Sequence, residues 1–320
     1  MNNKIKLGIV GVGHMGQYHV NVAISIPKIE VVGVYDVDKA RLKEISEKFY
    51  VKPYDNLDAL IRDSDALIIA VPTKFHFELA KKCLESEKHI LVEKPITETV
   101  REAEELIELA EKKGLILQVG HVERFNGAIL EIKKIIENPY FIETKRLSPF
   151  NPRVNDIGVV LDLMIHDLDI ILNLIPSEIR SIYARGIKAI TKYEDLATAT
   201  IQFESGTIAN LVASRVTQNK IRTLTITQEK SYVVLNFATQ DIDIYRMASS
   251  AYLMTREELK YKQESFVEKI FVHKDNPLKL EHLHFIHCIL GQEEPLVPNH
   301  KDILTMKYAH QIIEDIYKHF

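Results

Sequence analysis

Lys4-Ile5-Lys6-Leu7-Gly8-Ile9-Val10-Gly11-Val12-Gly13-His14-Met15-Gly16 is the stretch whose reading decides the fold. An apolar run from Lys4 to Val10 reads as a buried strand. It ends in glycines spaced G-x-G-x-x-G. Met15 to Ile26 then reads as a helix, stopped by Pro27. The glycine pattern alone is a weak signal. A strand before it and a helix after it make it specific, because such a turn brings backbone N–H groups at a helix N-terminus close to a pyrophosphate.

Working outward, apolar strands and amphipathic helices alternate. Val31–Tyr35, Ala66–Ala70, His89–Val92 and Ile116–Val119 read as strands. Asp38–Phe49, Phe75–Leu84 and Thr97–Lys113 read as helices, the last with Gly114 as its stop. Buried strands alternating with helices imply a parallel sheet covered on both faces, so residues 1–120 read as a Rossmann domain. Asp36 stands 20 residues beyond Gly16, at the end of the second strand. A carboxylate there accepts hydrogen bonds from the adenosine ribose and repels a 2′-phosphate, which favours NAD over NADP. Lys39 and Arg41 lie close enough in sequence to relieve that repulsion, and FAD is a further alternative. The expected contacts are Gly11, Gly13, His14, Met15, Gly16 and Asp36.

Beyond residue 120 the pattern changes. Phe125–Ile136 reads as a helix, 156–175 as a strongly apolar helix, and 179–272 as β-branched segments separated by turns. Two helices, near 278–290 and 302–318, finish the chain. The fold class is α/β: an N-terminal Rossmann domain, then a C-terminal α+β domain, residues 121–320, with a large open, mostly antiparallel sheet. The chain has 320 residues, a formal net charge of −4 and two cysteines. That balance gives no pull toward nucleic acid or an anionic membrane, and no disulfide framework. The first apolar segment is too short to span a bilayer and lacks a cleavage pattern, so a cytoplasmic protein is expected.

Two features carry chemistry. Ile90-Leu91-Val92-Glu93-Lys94-Pro95 puts a charged pair at the carboxyl end of a strand, where ligands of open α/β sheets bind; a Glu93–Lys94 ion pair at a turn is the alternative. The helix Gly158–Ile175 carries Asp162, His166, Asp169 and Asn173 at i, i+4, i+7 and i+11. At about 100° per residue they fall in one arc of a helix that, apart from Asp167, is otherwise apolar. Buried polar groups need partners, supplied by an internal network or by a ligand. Glu281, His282, His284, His287 and Cys288 crowd one late helix; a mixed core and surface helix is expected there, with no metal.

Together Gly11-x-Gly13-x-x-Gly16, Val71-Pro72-Thr73-x-x-His76, Glu93-Lys94-Pro95 and Asp162-x-x-x-His166-x-x-Asp169 make the chain resemble the Gfo/Idh/MocA oxidoreductases along nearly its whole length. The resemblance implies that Lys94 polarises a reacting hydroxyl, His166 accepts its proton and Asp162 binds a neighbouring hydroxyl. It places Val71, Pro72, Thr73, His76, Glu93 and Lys94 at the cofactor. Asp156-Ile157-Gly158 stands where many members have three glycines, and Met164 where many have glycine.

Gly120–Asn126, Arg146–Arg153 and Asp156–Asp167 further resemble the branch acting on UDP-N-acetylglucosamine at C3. That branch implies a lipid A pathway, a partner sugar aminotransferase and a homo-dimer or homo-tetramer. A nucleotide sugar brings a diphosphate, for which Arg124, Arg146 and Arg153 are candidates; ordinary salt bridges are the alternative for each. A free polyol dehydrogenase and a non-catalytic sensor of dinucleotide or sugar are the competing functions.

Overall fold

The computed structural model describes residues 4–152, 157–247 and 265–320. In chain order its elements are β1 (Ile5–Val10), α1 (His14–Ala23), β2 (Ile29–Tyr35), α2 (Lys39–Phe49), α3 (Leu57–Asp63), β3 (Ala66–Ile69), α4 (His76–Glu85), β4 (His89–Glu93), α5 (Val100–Lys113) and β5 (Leu117–Gly120). Then follow α6 (Gly127–Ile132), β6 (Phe141–Leu147), a π-helical turn (Val160–Met164), α7 (Ile165–Leu174), β7 (Ile179–Ile187), β8 (Leu196–Phe203), β9 (Ile208–Ser214), β10 (Ile221–Gln228), β11 (Ser231–Asn236), β12 (Asp241–Met247), β13 (Ser265–Ile270), α8 (Pro277–Ile289) and α9 (Asn299–Tyr317). The chain divides into two compact units, Met1–Phe125 with Asp275–Tyr308, and Asn126–Lys274 with Ala309–Phe320.

In the first unit the strands pair in parallel in the order β2-β1-β3-β4-β5. Side chains alternate across the sheet, and both faces are buried. Leu7, Ile9, Ile68 and Leu91 pack under α1 and α2; Val10, Leu67, Ile69 and Val92 pack under α4 and α5. The helix limits follow local signals. Asp38 accepts from the N–H groups of Ala40 and Arg41 to start α2. Thr99 and Glu102 form a reciprocal capping box on α5, and Gly114 ends it in the left-handed conformation.

One expectation is revised here. The second domain was expected to run unbroken from residue 121, yet α8 belongs to the first unit. Leu278, Phe285 and Ile286 bury against the α1 face of that unit. An apolar helix face announces that it will be covered, not which sheet covers it.

The second unit is built on an eight-stranded sheet in the order β13-β12-β11-β10-β6-β9-β8-β7. The β6–β9 pair is parallel and every other pair is antiparallel. Ala197, Ala199, Ile201, Phe203, Leu211, Leu224 and Ile226 are buried on one face. The opposite face carries Thr198, Thr200, Asn210, Lys145, Thr223 and Thr225, half-buried or exposed. β6, at the centre, was not expected as a strand. Its inward positions are Ile142, Thr144 and Arg146, all buried, so two polar residues stand where the apolar alternation should be.

Candidate functional site

The glycine turn joins β1 to α1 at the carboxyl edge of the parallel sheet. Gly11 has φ +87°, and a Cβ on Gly16 would run into the Gly11 carbonyl oxygen. Gly13 differs: a Cβ there would meet nothing within 4 Å. It is also the N-cap of α1, with no side chain accepting from the first turn and no acidic residue in it. Uncapped N–H groups beneath open space are what a pyrophosphate requires. His14 is exposed at the start of α1, its ring edge-on to Tyr18, and Met15 is half-buried.

A cleft of about 440 Å³ extends from this turn, lined by Gly11, Gly13, Asp36, Val71, Pro72 and Phe75 among others. Asp36 Oδ2 accepts from the Val12 N–H at 2.7 Å and Oδ1 from the Asp38 N–H at 2.9 Å, so its carboxylate is held in the cleft wall. The two bases near Asp36 each have partners. Arg41 Nε donates to the Val12 carbonyl at 3.0 Å and its Nη1 pairs with Glu44 at 2.7 Å. Lys39 Nζ lies 3.7 Å from Asp55 and 5.3 Å from the Tyr35 ring centre. The turn, the uncapped helix and a carboxylate fixed in the cleft wall fit NAD.

Val71 and Pro72 line the cleft, and Thr73 opens the short 3₁₀ turn that follows. His76 is 1% exposed, its Nδ1 and Nε2 each 2.8 Å from a backbone carbonyl oxygen, of Pro95 and of Val71. Both ring nitrogens of His76 thus face the main chain. The ring lies between the Glu93-Lys94-Pro95 segment and the Val71-Pro72 loop, and burial lowers its pKa by more than the two carbonyl contacts raise it. Lys94 is half-buried at the end of β4, and its bond to Pro95 is cis. Glu93 is buried behind it, Oε1 2.8 Å from His19 Nε2. Burial alone would raise the Glu93 carboxyl; the hydrogen bond from His19 and the charge of Lys94 outweigh it, and the group lies below its ordinary value. The Glu93 carboxylate faces inward, toward His19. His19, which the sequence reading passed over, carried one signal, a polar residue on the buried face of α1.

In the second unit the expected single helix is a π turn followed by α7. The wider turn shifts the phase of Asp162 relative to His166, Asp169 and Asn173, so the narrow arc expected for all four is corrected. Asp162 and His166 are half-buried; Asp169 is buried, and Asn173 Nδ2 donates to its backbone oxygen at 2.8 Å. The start of the segment is held by Glu194, whose Oε1 accepts from the Val160 N–H at 3.3 Å and whose carboxylate fills the space a side chain on Gly158 would need.

The arginines are mostly structural. Arg146 is 2% exposed, and its Nε and Nη2 donate to Asp167 Oδ1 at 3.1 and 2.7 Å. Its guanidinium also lies 4.9 Å from the centre of the Phe237 ring. Arg124 is buried and donates to Asp302 in the first unit. Both are internal partners of buried carboxylates. Arg153 lies outside the described residues. On α8, Glu281 and His282 are buried, while His284 and His287 turn to Glu293 at 2.9 and 2.8 Å.

Residues 5–121 match the model of an oxidoreductase family with an NAD-binding Rossmann fold, and 127–234 match the GFO/IDH/MocA C-terminal domain. The chain is 33% identical over 283 residues to UDP-N-acetylglucosamine 3-dehydrogenase of Acidithiobacillus ferrooxidans, covering 84% of this chain and 90% of that protein. A solved structure of that enzyme superposes with a TM-score of 0.88 at 30% identity, covering 98% of each chain. The scyllo-inositol 2-dehydrogenase (NAD(+)) of Bacillus subtilis is 28% identical, covering 93% of this chain and 90% of that protein. No helix among the described residues is long and apolar enough to cross a membrane.

Proposed function

The chain belongs to the Gfo/Idh/MocA oxidoreductases, NAD-dependent enzymes acting on CH–OH groups, and from that premise we propose that it oxidises C3 of UDP-N-acetylglucosamine to the 3-keto sugar. The observation that carries this reading is the near full-length likeness to the enzyme of that activity, in sequence and in fold. The bound cofactor supplies the hydride acceptor; the protein supplies position and electrostatics. Lys94 holds the reacting oxygen and stabilises it as the carbonyl forms. His166 takes the hydroxyl proton as general base, and Asp162 accepts from a neighbouring hydroxyl. Gly11, Gly13, His14, Met15, Gly16, Asp36, Val71, Pro72 and Thr73 hold the dinucleotide. With Arg124 and Arg146 tied to internal carboxylates, Arg153 is the remaining candidate for the diphosphate.

The 3-keto product is the substrate of a sugar aminotransferase in a cytoplasmic lipid A pathway, and the polar open face of the eight-stranded sheet serves a homo-dimer or homo-tetramer. A second reading, oxidation of a free polyol such as an inositol, is favoured by the likeness to the inositol dehydrogenase and by the internal engagement of two of the three arginines.

The test mixes purified protein with NAD and a panel of nucleotide sugars and free polyols, following reduced nicotinamide by absorbance. Turnover of UDP-N-acetylglucosamine is expected, with Lys94→Ala and His166→Ala losing at least about a hundredfold in kcat and keeping NAD affinity. Turnover of free polyols alone refutes the nucleotide-sugar assignment, and full activity in both variants refutes the assigned roles.

A further inference from the structure

Glu93 opens a chain of hydrogen bonds that leads away from Lys94 into the interior of the first unit. Its Oε2 accepts from the Lys94 backbone N–H at 3.3 Å and its Oε1 lies 2.8 Å from His19 Nε2. His19 Nδ1 lies 2.8 Å from His282 Nε2, and the two imidazoles stack with centroids 5.1 Å apart and 8° between planes. His19 and His282 are 0% and 1% exposed. His282 stands on α8, at the far end of the sequence from β4.

The direction of the chain follows from both of its ends. A carboxylate only accepts, so His19 must donate from Nε2, and the Nε2–H tautomer leaves Nδ1 as an acceptor. At the other end, His282 Nδ1 is buried with no hydrogen-bond partner among the described residues. A buried N–H without an acceptor is penalised by its lost hydration, so the proton of His282 sits on Nε2 and points to His19. With that proton on His282 Nε2, His19 Nδ1 is the acceptor between the two rings. Burial also keeps His282 neutral, with a pKa well below that of free histidine.

We propose that His19 and His282 are positioning residues for Lys94, holding the Glu93 carboxylate in one orientation and through it the main chain at the end of β4. The inference rests on the reading of Lys94 as the group that holds the substrate oxygen. Without the His282 donor, His19 has no reason to keep Nδ1 bare and the Glu93 carboxylate loses its fixed partner. The Lys94 ammonium then samples a wider volume, and a catalytic group misplaced by an ångström loses rate more than binding.

His282→Leu and His282→Gln test this, the glutamine keeping an N–H at the reach of Nε2. In His282→Leu we expect kcat on the best substrate of the panel to fall about tenfold, with NAD affinity within about twofold of wild type. His282→Gln recovers most of that loss, which a general loss of packing would not do. Unchanged kcat in the leucine variant, or a glutamine variant no better than leucine, overturns the proposal. Should the leucine variant fail to fold, ¹⁵N NMR of wild-type protein decides instead: both rings are expected as Nε2–H tautomers, and any other tautomer at His19 or His282 overturns the chain. Lys94→Ala measured alongside separates the two levels. Undiminished turnover there overturns the reading of Lys94 itself, whereas an inactive Lys94→Ala beside a fully active His282→Leu overturns only the positioning.

Discussion

Gly13 and Gly16 serve one turn for different reasons, and their substitution should separate them. A Cβ on Gly16 would strike the Gly11 carbonyl, so Gly16→Ala should lose about 1–3 kcal/mol of stability through overpacking. A Cβ on Gly13 meets only open space, so Gly13→Ala should lose less stability than Gly16→Ala and yet bind NAD at least about tenfold more weakly, the methyl intruding where the pyrophosphate approaches. Thermal melts beside a fluorescence titration with NADH check both; a Gly13→Ala protein with unaltered affinity rejects the placement of the pyrophosphate. At this scale much was legible. The glycine spacing and Asp36 read directly as a dinucleotide turn. His76 and Glu93 did not read as they are, because their orientation depends on His19 and on the Val71 and Pro95 carbonyls, which no local pattern brings together.

Arg146 and Asp167 show what an element can conceal. The helix reading treated Asp167 as the odd polar residue outside the stripe, and β6 was not read as a strand at all. The two omissions explain each other: the charge inside β6 meets the charge inside α7. Removing one partner leaves a buried charge without compensation, so Arg146→Ala should destabilise the protein by about 3–5 kcal/mol. Chemical denaturation measures this. A variant of native stability with a raised KM for the nucleotide sugar would instead return Arg146 to the diphosphate. The π turn was equally invisible. The spacing of Asp162, His166 and Asp169 suits a regular helix, and one extra residue in a turn leaves no trace in composition.

For the whole molecule, Glu281 sets a pH dependence. It is fully buried, and neither carboxylate oxygen has a hydrogen-bond partner among the described residues. Burial, and secondarily the charge of Glu93, push its pKa well above the ordinary 4.5, while Arg124 pulls the other way. The folded protein therefore keeps a proton that the unfolded chain releases above about 4.5, and this group's contribution to stability declines as pH rises from there. Glu281→Gln has no proton to release. The stability of the variant relative to wild type should be flat below about pH 4.5 and climb toward neutrality, read from urea midpoints across pH. A difference independent of pH means that Glu281 is ionised in the fold.

What could be read along the chain is what near neighbours dictate: strand and helix periods, the Asp38 and Thr99 caps, the Gly114 stop, the glycine turn and the carboxylate that follows it. These are short-range matters of sterics, hydrogen-bond geometry and hydrophobic alternation. What needed the folded protein is where distant polar groups find each other. Arg146 meets Asp167 and Arg124 meets Asp302 because a buried charge must be neutralised by whatever the topology brings beside it. His282 reaches His19 because α8 returns to cover the first sheet. The glycine turn pointed to the cofactor; the tertiary structure decided which buried partners the polar side chains around it take.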